Sequence, residues 1–390
     1  MINARVLRRL LALLVTVGTV AYLPGPSVSP VPVATAAGGP GSLREVTVEM
    51  PQTLRTGPLE RERRLHLPVG FHIAIFAQIP GVRFGTGAPD GRLVVSQMRE
   101  GRVLALDSDG HATPLASGLR LPHGVAYHNG VLYVAETARV VRAPRPGEVL
   151  TVVPVLPSGG GHFTRTLGFG PDQWMYVSVG SSCNACIEQD PRRAAILRFN
   201  PDGSHGEIFA TGLRNTVGFA WDPGTGALWA VVNGRDWLGD DLPPDILVKV
   251  VRGGFYGWPY CYGNRILDPE LGRPDRCRQM LLPALEMQAH SAPLGMTFSR
   301  GTSFPSRYQG GAFVAFHGSW NRSVPTGYKL VYVPFANGAP AGPAEDFATG
   351  WLQSDGTAWG RPVDPIVGSD GRVYLTDDLS GAIYRIWYQP

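Results

Sequence analysis

The sequence predicts an all-β protein, and more narrowly a six-bladed β-propeller. Two observations support this prediction. The chain has 50 Gly and 35 Pro among its 390 residues, as many short strands joined by tight turns would require. A turn followed by a hydrophobic strand also recurs along the chain, and no segment shows the sustained 3.6-residue apolar period of a helical array.

The recurring unit is a turn rich in Gly, Asp and Asn, followed by a strand with an apolar or aromatic centre. Its six copies are APDGRLVVSQ, YHNGVLYVAE, FGPDQWMYVSVG, DPGTGALWAVVNG, YQGGAFVAFHG and GSDGRVYLTDD. The central residues of the six strands are Val94, Tyr133, Tyr176, Trp229, Phe313 and Tyr374. A second strand with a basic residue follows most copies, as in GRVLALDSDG. Turn, strand, loop and strand form half of a four-stranded blade, so six copies predict six blades.

The amino terminus resembles an export signal. Arg5, Arg8 and Arg9 precede an apolar run over residues 10–23, and a small-residue stretch, VPVATAAGG, follows. The run is short for a membrane span and suits the apolar region of a signal peptide. We therefore expect a signal peptide over residues 1–37 (or, as the alternative, an uncleaved amino-terminal anchor), a linker over residues 38–60, and the propeller domain over residues 61–390.

This start predicts a protein that is secreted, periplasmic or at the cell surface, with membrane contact only through an uncleaved anchor. The four cysteines agree with an oxidising compartment. Cys183 and Cys186 form a CxxC motif, but Ile187 stands where haem attachment needs His. A zinc site would favour a second CxxC, and Cys261 and Cys277 are spaced too widely for one. Two disulfides, Cys183–Cys186 and Cys261–Cys277, are the preferred prediction.

The net charge of +4, without a Lys/Arg run beyond the amino terminus, does not favour a nucleic-acid partner. The loops at one end of a propeller channel converge, so they are the place to seek function. Arginines from several blades would repel one another there unless an anion lay between them, which predicts a polycarboxylate or phosphate ligand. Four acids of one loop suggest a hard cation nearby, although they do not match an EF-hand: Asp236, Asp240, Asp241 and Asp245.

Several stretches are similar to those of one enzyme family. They are HFTRTLGFGPDQWMYVSVGSSCNAC, GLRNTVGFAWDP, GGFYGWPYC, HGSWNR and GRPVDPIVGSDGRVYLTDD, and they resemble the glucose/sorbosone dehydrogenase family over residues 67–387. The sorbosone/aldose dehydrogenase branch is the closer match. The resemblance implies an exported six-bladed propeller that uses pyrroloquinoline quinone (PQQ) and calcium to oxidise an aldose or related sugar at C1, giving a lactone or acid.

The resemblance also implies roles for individual residues. His162 stands seven residues before FGPD, where the family has its general base. Arg214 matches the arginine that stabilises negative charge on the quinone oxygen, and Asn215 would hydrogen-bond the same edge of PQQ. Main-chain carbonyls of Gly234 and Arg235 match the family's calcium ligands.

The basic residues that would pair with the PQQ carboxylates are Arg361 and Arg322, with Lys329 as an alternative to Arg322. The family's Arg-x-Arg pattern is kept only in part, because Val363 stands at the second arginine. Losing that partner would weaken cofactor binding unless another residue, such as Arg165, replaced it, or would mark a chain that has lost the cofactor.

Two other functions compete with this one. A calcium-dependent propeller lactonase or esterase would need acidic side chains that converge on the metal from several blades. A non-catalytic extracellular binding propeller would need no base. As a dehydrogenase, the protein would act on a small-molecule sugar and pass electrons to an external quinone or cytochrome.

Overall fold

The computed structural model describes residues 42–390, and the predicted signal peptide or anchor lies outside this range. Three strands precede the first blade: β1 (Leu43–Thr47), β2 (Arg64–Pro68) and β3 (Phe71–Gln78). The first blade contains β4 (Val82–Gly87), β5 (Leu93–Gln97), β6 (Arg102–Leu106) and β7 (Ala112–Ala116). The second contains β8 (Val125–His128), β9 (Val131–Ala135), β10 (Val140–Ala143) and β11 (Leu150–Val153).

The third blade contains β12 (Leu167–Phe169), β13 (Met175–Val179), β14 (Ala195–Phe199) and β15 (Glu207–Thr211). The fourth contains β16 (Thr216–Trp221), β17 (Leu228–Val232), β18 (Asp245–Val250) and, after an insertion, β22 (Leu285–Met287). The insertion holds β19 (Gly254–Phe255), β20 (Cys261–Tyr262), β21 (Ile266–Leu267) and helix α1 (Pro274–Gln279). Strand β19 pairs in parallel with β15 as a fifth strand of the third blade.

The fifth blade contains β23 (Pro293–Phe298), β24 (Ala312–Phe316), β25 (Lys329–Val333) and β28 (Glu345–Ala348), with a small hairpin of β26 (Phe335–Ala336) and β27 (Ala339–Pro340). The sixth contains β29 (Pro362–Val367), β30 (Val373–Asp377), β31 (Ala382–Tyr388) and the early strand β3. Because β3 pairs with β31, a strand from the start of the domain completes the last blade and closes the ring. The predicted six-bladed propeller is confirmed.

The turn-and-strand repeat marks the second strand of every blade. Its six central residues lie on β5, β9, β13, β17, β24 and β30, and all are buried, with exposures of 0 to 8%. Their side chains pack between neighbouring blades, which is where the apolar core lies. An aspartate holds several of the turns; Asp90, for example, accepts a hydrogen bond from the backbone N–H of Arg92.

The expected linker is corrected from residue 43 onward. Strand β1 pairs antiparallel with β2, and Val48 and Leu59 are buried in the core, at 2% and 0% exposure. Short 3-10 turns over Gln52–Leu54 and Gly57–Leu59 connect these strands, and a third lies at Ser306–Tyr308. The apolar residues in this stretch bury against the last blades, so residues 43–60 belong to the folded domain.

Both predicted disulfides are present. Cys183–Cys186 closes a short loop directly after the third blade's second strand, and Cys261–Cys277 joins β20 to helix α1 in the insertion. Within residues 42–390, no helix has the length and apolar character needed to cross a membrane.

Candidate active site

One end of the central channel gathers most of the predicted site residues. The innermost strands (β4, β8, β12, β16, β23 and β29) begin at this end, and the second strand of each blade ends there because neighbouring strands are antiparallel. We call the loops at this end the channel mouth. His162, Arg214 and Arg361 lie just before innermost strands, whereas Gly234 and Arg322 follow second strands.

His162 is held by the loop that follows the third blade's second strand. Its Nδ1 lies 2.8 Å from Ser181 Oγ and 3.1 Å from the Ser181 carbonyl oxygen. The Ser181 hydroxyl donates its own hydrogen to the Cys183 carbonyl, so Nδ1 carries the ring proton and donates to Ser181. Nε2 then holds a lone pair, and it makes no hydrogen bond within the described chain.

Burial lowers the pKa of His162 to about 4, and the nearby charges of Arg214 and Arg165 act in the same direction. The ring is therefore neutral at ordinary pH, as a general base requires. Arg165 is fully buried and donates to the carbonyls of His162, Thr164 and Pro157. These bonds hold the His162 loop and occupy the Arg165 guanidinium. Arg165 is therefore not available to replace the family arginine that is absent at position 363.

Ser181 joins His162 to Arg214, because its N–H donates to the Arg214 carbonyl at 2.7 Å. The Arg214 guanidinium is almost fully buried, and burial lowers its pKa. It donates to the main-chain and side-chain oxygens of Asn184 and forms an ion pair with Asp236 at 3.0 Å. These bonds join the loop before the fourth blade to the CxxC loop and to the loop after that blade's second strand, and together they hold Arg214 in place.

Asn215 and His162 lie against the same glycine. A Cβ added to Gly180 would stand 2.5 Å from His162 Cβ and 2.9 Å from Asn215 Oδ1. Only a residue without a side chain lets both approach, so Gly180 is a steric requirement of the pair. The structure thus brings together three of the predicted residues, His162, Arg214 and Asn215.

The loop predicted to bind calcium passes beside this group. Gly234 N–H donates to Asp245 Oδ1, and the Arg235 side chain forms ion pairs with Asp268 and Glu270. The carbonyl oxygens of Gly234 and Arg235 accept no hydrogen bond from residues 42–390. The neighbouring Asn233 Oδ1 is buried without a hydrogen-bond partner. These unpaired oxygens are the donor type that calcium prefers.

The acids that suggested a hard cation instead bind other residues of the protein. Asp236 pairs with Arg214, Asp240 accepts from Ser323, and Asp241 pairs with Arg322. Asp245 accepts from the N–H groups of Gly234 and Ala292. Among the described residues, the two groups of three possible ligands lie elsewhere: one contains the disulfide Cys183–Cys186, and the other is exposed in the turn at residues 107–111. Within residues 42–390, these acids do not converge on one point as a calcium-dependent hydrolase would need.

Two of the predicted carboxylate-binding residues are occupied. Arg322 donates to the Asp240 carbonyl and pairs with Asp241 at 3.2 Å. Lys329 begins the third strand of its blade and pairs with Asp346 on the outer strand at 2.6 Å. Each residue would have to release its acidic partner before it could bind a cofactor carboxylate.

Arg361 belongs to a cluster that sequence reasoning largely missed. Its Nε donates to Asp378 Oδ1 at 2.8 Å, His317 Nε2 lies 3.1 Å from the same oxygen, and Arg83 bonds to Asp378 Oδ2. Burial would raise the pKa of Asp378, but its hydrogen bonds and cationic neighbours together lower it well below its ordinary value. Burial lowers the pKa of His317 to about 4 despite the carboxylate.

Two arginines therefore share one carboxylate next to a neutral histidine, which leaves one positive charge unbalanced. Val363 is fully buried and packs with Phe84, Val217 and Leu294, one apolar residue from each of four innermost strands. An arginine at this position would have to displace that apolar cluster. Arg83 precedes Phe84 on β4 of the adjacent first blade, and its guanidinium lies at the channel mouth beside Asp378. Two members of the cluster had a sequence signal, since Arg361 was a predicted carboxylate-binding residue and the stretch HGSWNR begins with His317. Arg83 had none, and Asp378 only ends the last repeat.

This site and fold define a six-bladed propeller with a neutral histidine and an excess of positive charge at its mouth. The family model described as "Glucose / Sorbosone dehydrogenase" matches residues 132–319, and a model described as "TrAA12-like" matches residues 266–389. An uncharacterised protein of Borreliella burgdorferi is 30% identical over 349 residues, covering 83% of this chain and 91% of that protein. The chain belongs to the glucose/sorbosone dehydrogenase family.

A second relative has a described activity. The pyrroloquinoline quinone-dependent pyranose dehydrogenase of Coprinopsis cinerea is 27% identical over 299 residues, covering 58% of this chain and 39% of that enzyme. The holo form of the PQQ domain of a pyranose dehydrogenase from the same organism superposes with a TM-score of 0.71 at 23% identity, covering 87% of this chain and 98% of that domain. This likeness of structure shows the fold.

Proposed function

We propose that the protein is a PQQ- and calcium-dependent dehydrogenase that oxidises an aldose or related sugar at C1, with His162 as the general base. The observation that carries this proposal is the state of His162. Its Nδ1 proton is committed to Ser181, burial and the charge of Arg214 lower its pKa to about 4, and its Nε2 makes no hydrogen bond within the described residues. The relatives that depend on PQQ support the cofactor.

The residues of the mouth fit an anionic cofactor. The positive charge left over where Arg83 and Arg361 share Asp378 would attract a PQQ carboxylate. Arg214 and Asn215 would hold the opposite edge of the cofactor, beside His162, which Gly180 allows to approach Asn215. The unpaired oxygens of the Asn233–Arg235 loop would ligate calcium through the carbonyls of Gly234 and Arg235. Arg83 thus takes the role that Val363 cannot.

When bound, PQQ supplies a two-electron acceptor for the hydride of C1, and calcium adds positive charge to polarise it. His162 Nε2 would take the proton of the anomeric hydroxyl, since the neutral ring is the form present at working pH. Ser181 would keep the imidazole in the required tautomer. Arg214 would favour negative charge developing beside it, because its guanidinium is buried and already oriented by Asn184 and Asp236.

The electrons would then leave to a separate quinone or cytochrome. The CxxC motif closes as a disulfide and has Ile187 after it, so it does not attach a haem. The export signal predicted in residues 1–37 supports a place outside the cytoplasm for this exchange.

The test is dye reduction by the purified protein with a panel of aldoses. We expect activity only when PQQ and calcium are both added, with magnesium in place of calcium and PQQ-free samples as controls. PQQ binding is measured separately by calorimetry. Absence of both turnover and PQQ binding would contradict the proposal. Calcium-dependent hydrolysis of a lactone without PQQ would instead establish the hydrolase.

A further inference from the structure

Two tryptophans stand exposed beside the channel mouth. Trp237 is 66% exposed and Trp320 is 69% exposed, although tryptophan is usually largely buried. Their rings are 5.0 Å apart at an interplanar angle of 87°, so they meet edge to face and leave indole surface open to solvent. An exposed aromatic pair next to a site marks a binding surface.

The two loops that carry the indoles are locked together. Asn321 Nδ2 donates to Asp236 Oδ1 at 3.0 Å, so each partner in this bond directly adjoins one of the tryptophans. A second bond, from Ser323 N–H to Asp240 Oδ1, ties the same loops a few residues further on. The indoles are exposed but not loosely placed.

Trp237 also has a left-handed backbone, with φ of 72°. This conformation is unfavourable for a bulky residue, and such strain concentrates at functional sites. The backbone of the preceding residue is held by Asn184, and Asp236 itself pairs with Arg214. Through Asp236, the loop that carries Trp237 is thus bound to the residues around His162.

We infer that Trp237 and Trp320 form a platform for a sugar ring, and that the substrate is a reducing oligosaccharide. The apolar C–H face of a pyranose suits an open indole. The ring on the platform is not the one that reacts, because the indoles are on the outer surface while His162 is partly buried in the mouth. This inference rests on the proposed function for the reacting end.

The experiment compares glucose, maltose and cellobiose with wild type, Trp237→Ala and Trp320→Ala. In wild type, at least one disaccharide should have a KM lower than glucose. Each variant should raise that KM about tenfold and leave kcat and the KM for glucose within about twofold. Val324→Ala is the control, since it removes an apolar side chain of 69% exposure from the same loop and should change nothing.

Calorimetry on the protein without PQQ gives an independent readout of disaccharide binding. Oxidation of sugars with equal KM values in wild type and both tryptophan variants would overturn the platform but keep the dehydrogenase. Disaccharide binding that the variants abolish, without oxidation of any sugar, would keep the platform and overturn the dehydrogenase. Variants that slow only reduction of a protein acceptor, with sugar binding intact, would overturn the sugar platform.

Discussion

The two halves of the channel mouth hold the same kinds of residue but leave their histidines in different states. In the third and fourth blades, His162 donates to Ser181, and the carboxylate of Asp236 is taken by Arg214. In the fifth and sixth blades, His317 lies against Asp378, which also binds Arg361 and, from the first blade, Arg83. One histidine donates to a neutral serine, and the other donates to a carboxylate.

This difference teaches that the partner of the histidine, more than its pKa, decides its chemistry. Burial lowers the pKa of both rings to about 4, so both are neutral at pH 7. Both rings also have their proton fixed by an acceptor, His162 on Nδ1 by Ser181 and His317 on Nε2 by the ionised Asp378. The acceptor of His162 is neutral, whereas that of His317 is a carboxylate shared with two arginines. We therefore assign proton transfer to the His162 half and anion binding to the Asp378 half.

The largest expected effect follows from removing the base. His162→Ala should lower kcat by about 10²–10⁴-fold, the usual contribution of general-base catalysis, while PQQ binding by calorimetry is retained. His111→Ala is the matched control, because this histidine is 80% exposed in a turn at the other end of the channel. Loss of turnover in His317→Ala, with His162→Ala fully active, would reverse the two roles.

The next effect tests the ion cluster of the other half. Asp378→Asn leaves Arg83 and Arg361 without their shared carboxylate, and breaking such a largely buried pair should lower the free energy of unfolding by about 3 kcal/mol. Urea denaturation measures the change. Asp346→Asn breaks the more exposed pair with Lys329 and should cost less than about 1 kcal/mol. Equal losses in the two variants would show that Asp378 is no special anchor.

The repeat was strong enough to predict the six blades, because the aromatic and β-branched residues from Val94 to Tyr374 fill the spaces between blades. It also placed His162 and Arg214 in loops that meet. Arg83 and Asp378 escaped prediction because they lie 295 residues apart and meet only through closure of the ring. The acidic partners of Arg322 and Lys329 were not predicted, because a sequence shows which charges exist but not which acids will pair with them.

The pH dependence of kcat/KM sharpens the assignment of the base. With its pKa near 4, His162 loses activity only as pH falls through about 4, whereas an unperturbed imidazole would lose it near 6.5. At pH 5 the difference in active fraction is roughly thirtyfold. An acid limb near pH 6.5 would contradict the buried, neutral base.

His317 has a similar pKa, so a further measurement must assign the acid limb of the pH profile to His162 or to His317. Hydrogen bonding and charge from Asp378 raise the pKa of His317 against the larger effect of burial. Asp378→Asn should therefore lower the pKa of His317 and leave a limb due to His162 where it was. A limb that moves with this substitution would assign the titration to the other half of the mouth.

The last prediction concerns the stability contributed by two buried carboxyl groups, Asp245 in the fourth blade and Asp364 in the sixth. Burial raises the pKa of Asp245 to about 7 and that of Asp364 to about 8. Asp245 uses both oxygens, accepting from the N–H groups of Gly234 and Ala292, whereas Asp364 accepts a backbone N–H on Oδ2 alone, from Gly85. An amide has only one acceptor oxygen, so it can replace Asp364 but not Asp245.

Asp364→Asn should therefore raise the free energy of unfolding by several kcal/mol more at pH 9 than at pH 5. The sign follows because the folded state holds the proton that the unfolded chain releases above about pH 4, so wild-type stability falls as pH rises towards 8. Asp245→Asn should cost about 1–3 kcal/mol at both pH values, since one backbone N–H loses its acceptor. Urea denaturation at pH 5 and pH 9 measures both variants. A destabilising Asp364→Asn at pH 9 would mean that the charged carboxylate is held in the folded state, as Asp378 is beside its two arginines.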